Sequence, residues 1–373
     1  MKIPLSKPYL NQKEFQAVKQ VLKSGWLTYG PKNQEFEKNF AEYIGVKYAV
    51  TLNSCASALF TAIKSLEITG EVILPSFTFS ASANAIETAG AKPVFTEINY
   101  ETGNIDLKDI ERRITKKTQA IMPVHFAGQS CKMDKITALA KKRKLFIIED
   151  SAEALGAEWQ DRKTGSFGIG CFSFFPTKNI TTGEGGMITT NDEKLFQKIK
   201  TLIGHGISKS TSQRVREQKP WFRAAVLAGY NFRMSNLLAS LGVEQLKKLD
   251  KMNDLRRKHA AYLNKKLKDL KQIELPKEIP QAKHVYQMYT IKIRRGNRDL
   301  LVKKLKEKGI EASVHFDPPV HLQPYYQKKY GYKHGDFPIT EKLSSSIITL
   351  PMFPQMTKKE LDYMVSVVRN NIY

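Results

Sequence analysis

Cysteine is scarce: Cys55, Cys131 and Cys171 are the only three, and they lack metal-ligand spacing. They read as reduced thiols of a cytoplasmic protein. Long apolar runs are missing too. No stretch approaches the roughly 18 residues that span a bilayer, and the opening Met1-Lys2-Ile3-Pro4-Leu5-Ser6-Lys7-Pro8 has no apolar export-signal core. Acidic residues are outnumbered, 36 Asp and Glu against 60 Lys and Arg, for a net charge of +24. Such an excess suits either a nucleic-acid binder or an enzyme that attracts small anions. There is no basic tail and no RNA-binding motif. The cations are dispersed, as in Lys247-Lys248 and Lys265-Lys266, and read as solvated helix faces. Neither nucleic acid nor membrane is expected as a partner.

What is present is an alternation of short strands and helices. The 373-residue length suggests a large domain with a smaller one. Apolar spacing predicts helices over Glu14–Lys23 and from Pro31 to Gly45, then strand Tyr48–Leu52, helix Ser54–Ser65, strand Val72–Pro75, helix Ala81–Ala89 and strand Pro93–Ile98. Strands Ala120–His125 and Leu145–Glu149 flank helix Lys135–Lys142. This order implies an α/β fold with a mainly parallel central sheet covered on both faces. Beyond Gly186 the pattern changes. One long helical stretch is expected from Asn236 to Leu270, followed by strands Tyr289–Ile293 and Ala312–Phe316 and a last helix, Lys358–Asn370. The boundary is placed at 250, with a large domain over 1–250 and a smaller α+β domain over 251–373.

Four segments fall where such sheets bind ligands, at strand ends and the turns after them. Leu52-Asn53-Ser54-Cys55-Ala56 leads a strand into a helix through small residues, which makes either an ordinary N-cap or an anion site. In Pro75-Ser76-Phe77-Thr78-Phe79, an aromatic either packs in the core or stacks on a planar ring. Ile148-Glu149-Asp150-Ser151-Ala152-Glu153 ends a buried strand on carboxylates. Asp150 either caps a helix or holds a heteroaromatic nitrogen protonated. Finally, Lys178 sits between the apolar Phe172-Ser173-Phe174-Phe175 and the glycine-rich Gly183-Glu184-Gly185-Gly186. It is either a lysine snorkelling from a loop or an amine poised to form a Schiff base. A phosphate cradle, a stacking ring, an Asp and a Lys in this order make a pyridoxal phosphate site.

These segments, with Gly25-Trp26-Leu27-Thr28-Tyr29-Gly30-Pro31, Gly229-Tyr230-Asn231-Phe232-Arg233-Met234-Ser235, His321-Leu322-Gln323-Pro324-Tyr325-Tyr326 and Leu350-Pro351-Met352-Phe353-Pro354, resemble the DegT/DnrJ/EryC1/StrS sugar aminotransferases over nearly the whole chain. The resemblance implies the fold-type I, aspartate-aminotransferase-like fold and pyridoxal 5′-phosphate (PLP) as cofactor. Lys178 would carry the Schiff base and Asp150 would pair with the ring nitrogen. Phe79 and Ala152 would bracket the ring, and Ser54, Cys55 and Ser173 would bind the phosphate. Asn231 would reach that phosphate from the second subunit of a homodimer with shared sites.

Two positions depart from the family pattern. Glu153 stands where Gln or His usually faces the cofactor's phenolic oxygen, so it either carries a proton or turns away. Cys55-Ala56 replaces the usual Gly-Thr of the phosphate turn. L-glutamate is the implied amino donor. The acceptor implied by the turn after Gly25 is the C4 keto group of a UDP- or dTDP-linked 4-keto-6-deoxy sugar, with Thr28, Tyr29, Arg233 and His321 as candidate substrate contacts and Arg223 as a further basic candidate. His321 reads equally as a structural loop histidine. A keto-cyclitol acceptor is the alternative within enzymes. Outside them, the alternative is a basic nucleic-acid-binding or regulatory protein on the same fold.

Overall fold

The computed structural model describes residues 1–207, 221 and 223–372. In the first half, short β-branched segments form β1 (Tyr48–Leu52), β2 (Glu71–Pro75), β3 (Lys92–Thr96), β4 (Thr118–Ile121), β5 (Phe146–Asp150), β6 (Glu158–Trp159), β7 (Arg162–Lys163), β8 (Ile169–Ser173) and β9 (Gly186–Thr190). The main sheet has 7 strands in the order β1-β9-β8-β5-β4-β2-β3. Its pairs β2–β3, β2–β4, β4–β5 and β5–β8 are parallel, while β9 runs antiparallel to both β8 and β1. The expected mainly parallel α/β sheet is present, with one reversed strand.

The sheet is buried on both faces because its side chains alternate between two cores. Val72 and Leu74 pack with Leu59, Ala62 and Ile63 of the helix Cys55–Ser65. Between them, Ile73 points to the other face and packs with Ile121, Ile136 and Leu139. This sandwiching leaves the carboxyl ends of β1, β5 and β8 open at one edge, and the turns after them carry the candidate residues. In the second half, β10 (Ile273–Glu274), β12 (Tyr289–Ile293) and β13 (Ile347–Leu350) form a small sheet, and β11 (Ala282–Lys283) joins β6 and β7 in another. A separate core of Leu263, Leu301, Ile348 and Leu361 also takes in Ile3, whose backbone N–H donates to Gly309 O at 2.8 Å.

Three elements differ from the sequence expectation. The long helix is two, Asn236–Leu246 and Leu249–Leu267. The break is tied down from far away in the chain: Gln245 Nε2 donates to Tyr9 O at 2.8 Å, and Lys248 Nζ to the same oxygen at 2.9 Å. The strand expected to reach His125 stops at Ile121, because Pro123 has no N–H for the ladder; pairing resumes as a single bridge, Val124 to Asp150. The segment Ala312–Phe316 is not a strand and keeps one bridge, Ser313 to Thr349.

Candidate active site

Each element end delivers one functional group to a shared cavity of about 410 Å³. After β1, Ser54 caps the helix Cys55–Ser65, its hydroxyl accepting from Ser57 N–H at 3.0 Å. The N-cap and the anion site are therefore compatible. The N–H groups of Cys55 and Ala56, in the first helical turn, have no intrahelical acceptor, and both residues line the cavity. Close approach makes the turn compact: a Cβ on Gly186 would lie 2.3 Å from Ser54 O, so only glycine lets β9 start there. Burial pushes the Cys55 thiol well above its usual range, with the Asp150 charge adding to the rise.

After β2, Phe77 is fully buried while Phe79 is 63% exposed and lines the cavity. The core role belongs to Phe77, and Phe79 offers a free ring face beside Phe316, centroid to centroid 6.4 Å. At the end of β5, Asp150 Oδ2 accepts from Ser82 Oγ at 2.7 Å and Oδ1 from Ala152 N–H at 3.2 Å. Burial raises the Asp150 carboxyl, the two hydrogen bonds pull it down, the Glu153 charge raises it and Lys178 lowers it. Among the described residues it is a buried carboxyl held by a hydroxyl and a backbone amide, with no ion pair.

Lys178 follows β8 on a turn in which its N–H donates to Phe175 O at 2.9 Å. Its Nζ lies 3.3 Å from Glu153 Oε1, and Glu153 Oε2 accepts from Ala127 N–H at 3.1 Å. The lysine and a backbone amide thus each engage one Glu153 oxygen. Lys178 is a cavity-lining amine, not a snorkelling surface lysine. Ser173 lines the same cavity, with its hydroxyl accepting from Phe175 N–H at 3.4 Å. Ser54, Cys55, Phe79, Asp150, Ala152, Glu153, Ser173 and Lys178 are all brought together.

The remaining candidates lie elsewhere in the chain. Thr28, Asn231 and Arg223 are exposed or half-buried outside the cavity. The Tyr29 hydroxyl donates to buried Glu37 at 2.8 Å, and burial drives its phenol up strongly. Arg233 Nη2 sits 3.3 Å from both Asn231 Oδ1 and His205 Nε2. His321 requires a correction. It is fully buried, with Nδ1 2.6 Å from Ser76 Oγ and Nε2 3.0 Å from Glu341 Oε1. Both ring nitrogens are engaged, so it is a structural histidine that braces the turn after β2. Sequence reasoning missed Ser82, which orients Asp150, and His315, which lines the cavity with Nδ1 2.8 Å from Thr349 Oγ1. The one local signal for His315 was a titratable ring inside an apolar segment.

The model of the DegT/DnrJ/EryC1/StrS aminotransferase family matches residues 8–369. The chain belongs to this family. It is 39% identical over 376 residues to the GDP-perosamine synthase of Escherichia coli O157:H7, covering 100% of this chain and 98% of that protein. Among solved structures, it superposes with a TM-score of 0.94 on Helicobacter pylori PseC, an aminotransferase involved in the biosynthesis of pseudoaminic acid, at 30% identity and covering 100% and 99% of the two chains. Streptococcus pneumoniae Spr1654, in its PMP form, gives a TM-score of 0.93 at 29% identity, covering 99% and 98%; the same protein is also known in a PLP form. This family of aminotransferases is PLP-dependent. No helix among the described residues is long and apolar enough to cross a membrane.

Proposed function

We propose that this aminotransferase uses PLP to move an amino group from L-glutamate to the C4 keto group of a UDP- or dTDP-linked 4-keto-6-deoxy sugar, as a cytoplasmic homodimer with shared sites. The observation that carries the reading is one cavity holding Lys178, Asp150 and a helix N-terminus with free N–H groups. The residues fit the cofactor. Gly186 lets β9 start against the backbone of the Ser54 turn, whose first-turn N–H groups suit a phosphate, the buried Asp150 carboxyl is held by one hydroxyl and one backbone amide, and Phe79 presents an open ring face.

Bound there, PLP supplies a ring that accepts electrons from the donor's α-carbon. The chain's own groups do the rest. Lys178 Nζ would hold the cofactor and, once displaced by the donor's amine, would move a proton from the donor's α-carbon to the cofactor's former aldehyde carbon. The Asp150 carboxylate offers counter-charge to a protonated ring nitrogen. Ser54 and Ser173 hydroxyls and the Cys55 and Ala56 N–H groups bind the phosphate. Ala152, with its small side chain, lets a flat ring lie opposite Phe79. Thr28, Tyr29, Asn231 and Arg233 stand away from their own chain's cavity, and we assign them to the cavity of the second subunit.

The GDP-perosamine synthase relative supports an acceptor carrying a nucleoside diphosphate and makes GDP the third nucleotide to compare. The test converts the loaded protein to its amine form with glutamate and then offers UDP-, dTDP- and GDP-linked 4-keto-6-deoxy sugars beside free keto-cyclitols. A UDP- or dTDP-linked sugar is expected to restore the starting absorbance within one turnover. Restoration by keto-cyclitols alone would overturn the acceptor assignment.

A further inference from the structure

Lys178 borders two cavities. Beside the main one lies a smaller space of about 60 Å³, and Glu153, Thr177, Lys178 and His315 line both. The other walls of the smaller space include the apolar Leu5, Met288 and Met352, and the buried amide of Gln287. This amide is tied to the lysine's own turn, since Gln287 Nε2 donates to Thr177 O at 2.9 Å. The contact fixes which end of the amide is the oxygen. It leaves Oε1 buried with no donor among the described residues, a costly state for an acceptor.

Lys178 has the opposite surplus. Its amine carries more than one N–H, and its one hydrogen-bond partner among the described residues is Glu153 Oε1, at 3.3 Å. The lysine side chain is 18% exposed, so water reaches little of it. An unspent donor and an unspent acceptor therefore border the same small space. The chain path makes them neighbours, because Thr177, which Gln287 grips, directly precedes Lys178. Rotation of the flexible lysine stem can carry Nζ from one cavity into the other. There the apolar walls suit its methylenes, and the volume holds a few water-sized groups.

We propose that the smaller cavity is a second station for the Lys178 amine, in which Nζ donates to Gln287 Oε1 and leaves the main cavity clear for substrate. Gln287 is then a positioning residue. The inference rests on the reading above in one respect: the lysine has to step aside once the donor's amine displaces it. No bond forms or breaks at the second station, and an N–H of a neutral or a charged amine serves equally. A water on Gln287 Oε1 would satisfy the same acceptor, and experiment separates the two.

The test loads native protein, Gln287→Leu and Gln287→Glu with PLP and equilibrates each with mixtures of glutamate and 2-oxoglutarate, while absorbance reports the amine form. A station that holds the freed lysine stabilises the amine form alone. Gln287→Leu has no acceptor and is expected to raise the glutamate to 2-oxoglutarate ratio at half-conversion about fivefold. Gln287→Glu keeps an acceptor and should need no higher a ratio than the native protein. A glutamine with a purely structural role would weaken both forms alike and leave the ratio unmoved. An unchanged ratio in Gln287→Leu overturns the proposal and gives the acceptor to water. Should the variants not fold, a crystal structure of the native protein with pyridoxamine phosphate decides. Nζ within hydrogen-bonding distance of Gln287 Oε1 supports the station; Nζ still on Glu153, with water on Oε1, contradicts it. Failure of glutamate to convert the loaded native protein would instead refute the donor reading, and the same crystal structure then tests the station by itself.

Discussion

Lys178→Ala is expected to lower turnover by at least about 10⁴-fold and to remove the visible absorbance of the lysine-bound cofactor. Two losses combine in one atom. On the proposed reading, losing Nζ removes both the covalent tether that positions the ring and the base at the donor's α-carbon. The neighbours cannot substitute. Glu153 is fixed toward the missing amine by Ala127 N–H, Asp150 is committed to Ser82 and Ala152, and His315 is held by Thr349. Steady-state turnover with glutamate and the restored keto sugar, measured beside the absorbance spectrum, checks both effects. A variant that keeps a tenth of native turnover would refute the role of Lys178.

Asp150→Asn should cost about 10²–10⁴-fold in turnover while leaving PLP bound. An amide keeps the hydrogen-bonding shape but supplies no negative charge to keep the ring nitrogen protonated. Its effect on stability runs the other way. Burial raises the Asp150 carboxyl in the folded protein, so its ionised form is disfavoured by folding. The stability linked to this group is present at low pH and is lost as pH rises through the folded value. At pH 7 the apoprotein is carrying that cost, and Asp150→Asn apoprotein should therefore melt at or above the native temperature. Thermal unfolding of both apoproteins at pH 7 and pH 4 checks the sign; a variant that melts well below the native protein at pH 7 would contradict it.

The two effects separate chemistry from folding. Loss of turnover with retained or raised stability marks a residue kept for its charge. That pattern agrees with the way Asp150 is built: last in a buried strand, pinned by one hydroxyl and one backbone amide, and left without an ion pair among the described residues.

Much of this site was legible in the chain because each part is local. Strand Tyr48–Leu52 and strand Tyr289–Ile293 have the expected bounds, since a β-branched or aromatic run between turn residues decides them. Ser54, Phe79, Asp150 and Lys178 each follow a strand end, and a mainly parallel sheet gathers such ends at one edge. What failed was non-local. His321 looked like a loop contact because its partners, Ser76 and Glu341, lie on other elements. The first helix shows the same limit: its Phe15 and Leu22 are exposed, while Glu14 is buried because Gln245 and Lys248 reach it from the far side of the chain. Nothing near Ala127 announces that its N–H fixes Glu153.

The central claim is that Lys178, out of 60 lysines and arginines, is the point of covalent attachment. Borohydride reduction of the PLP-loaded protein locks the attached cofactor onto its lysine, and peptide mass mapping then locates it. The predicted result is one cofactor per chain on the peptide containing Lys178, with every other lysine unmodified. A cofactor found on another lysine, or on none, would contradict the account.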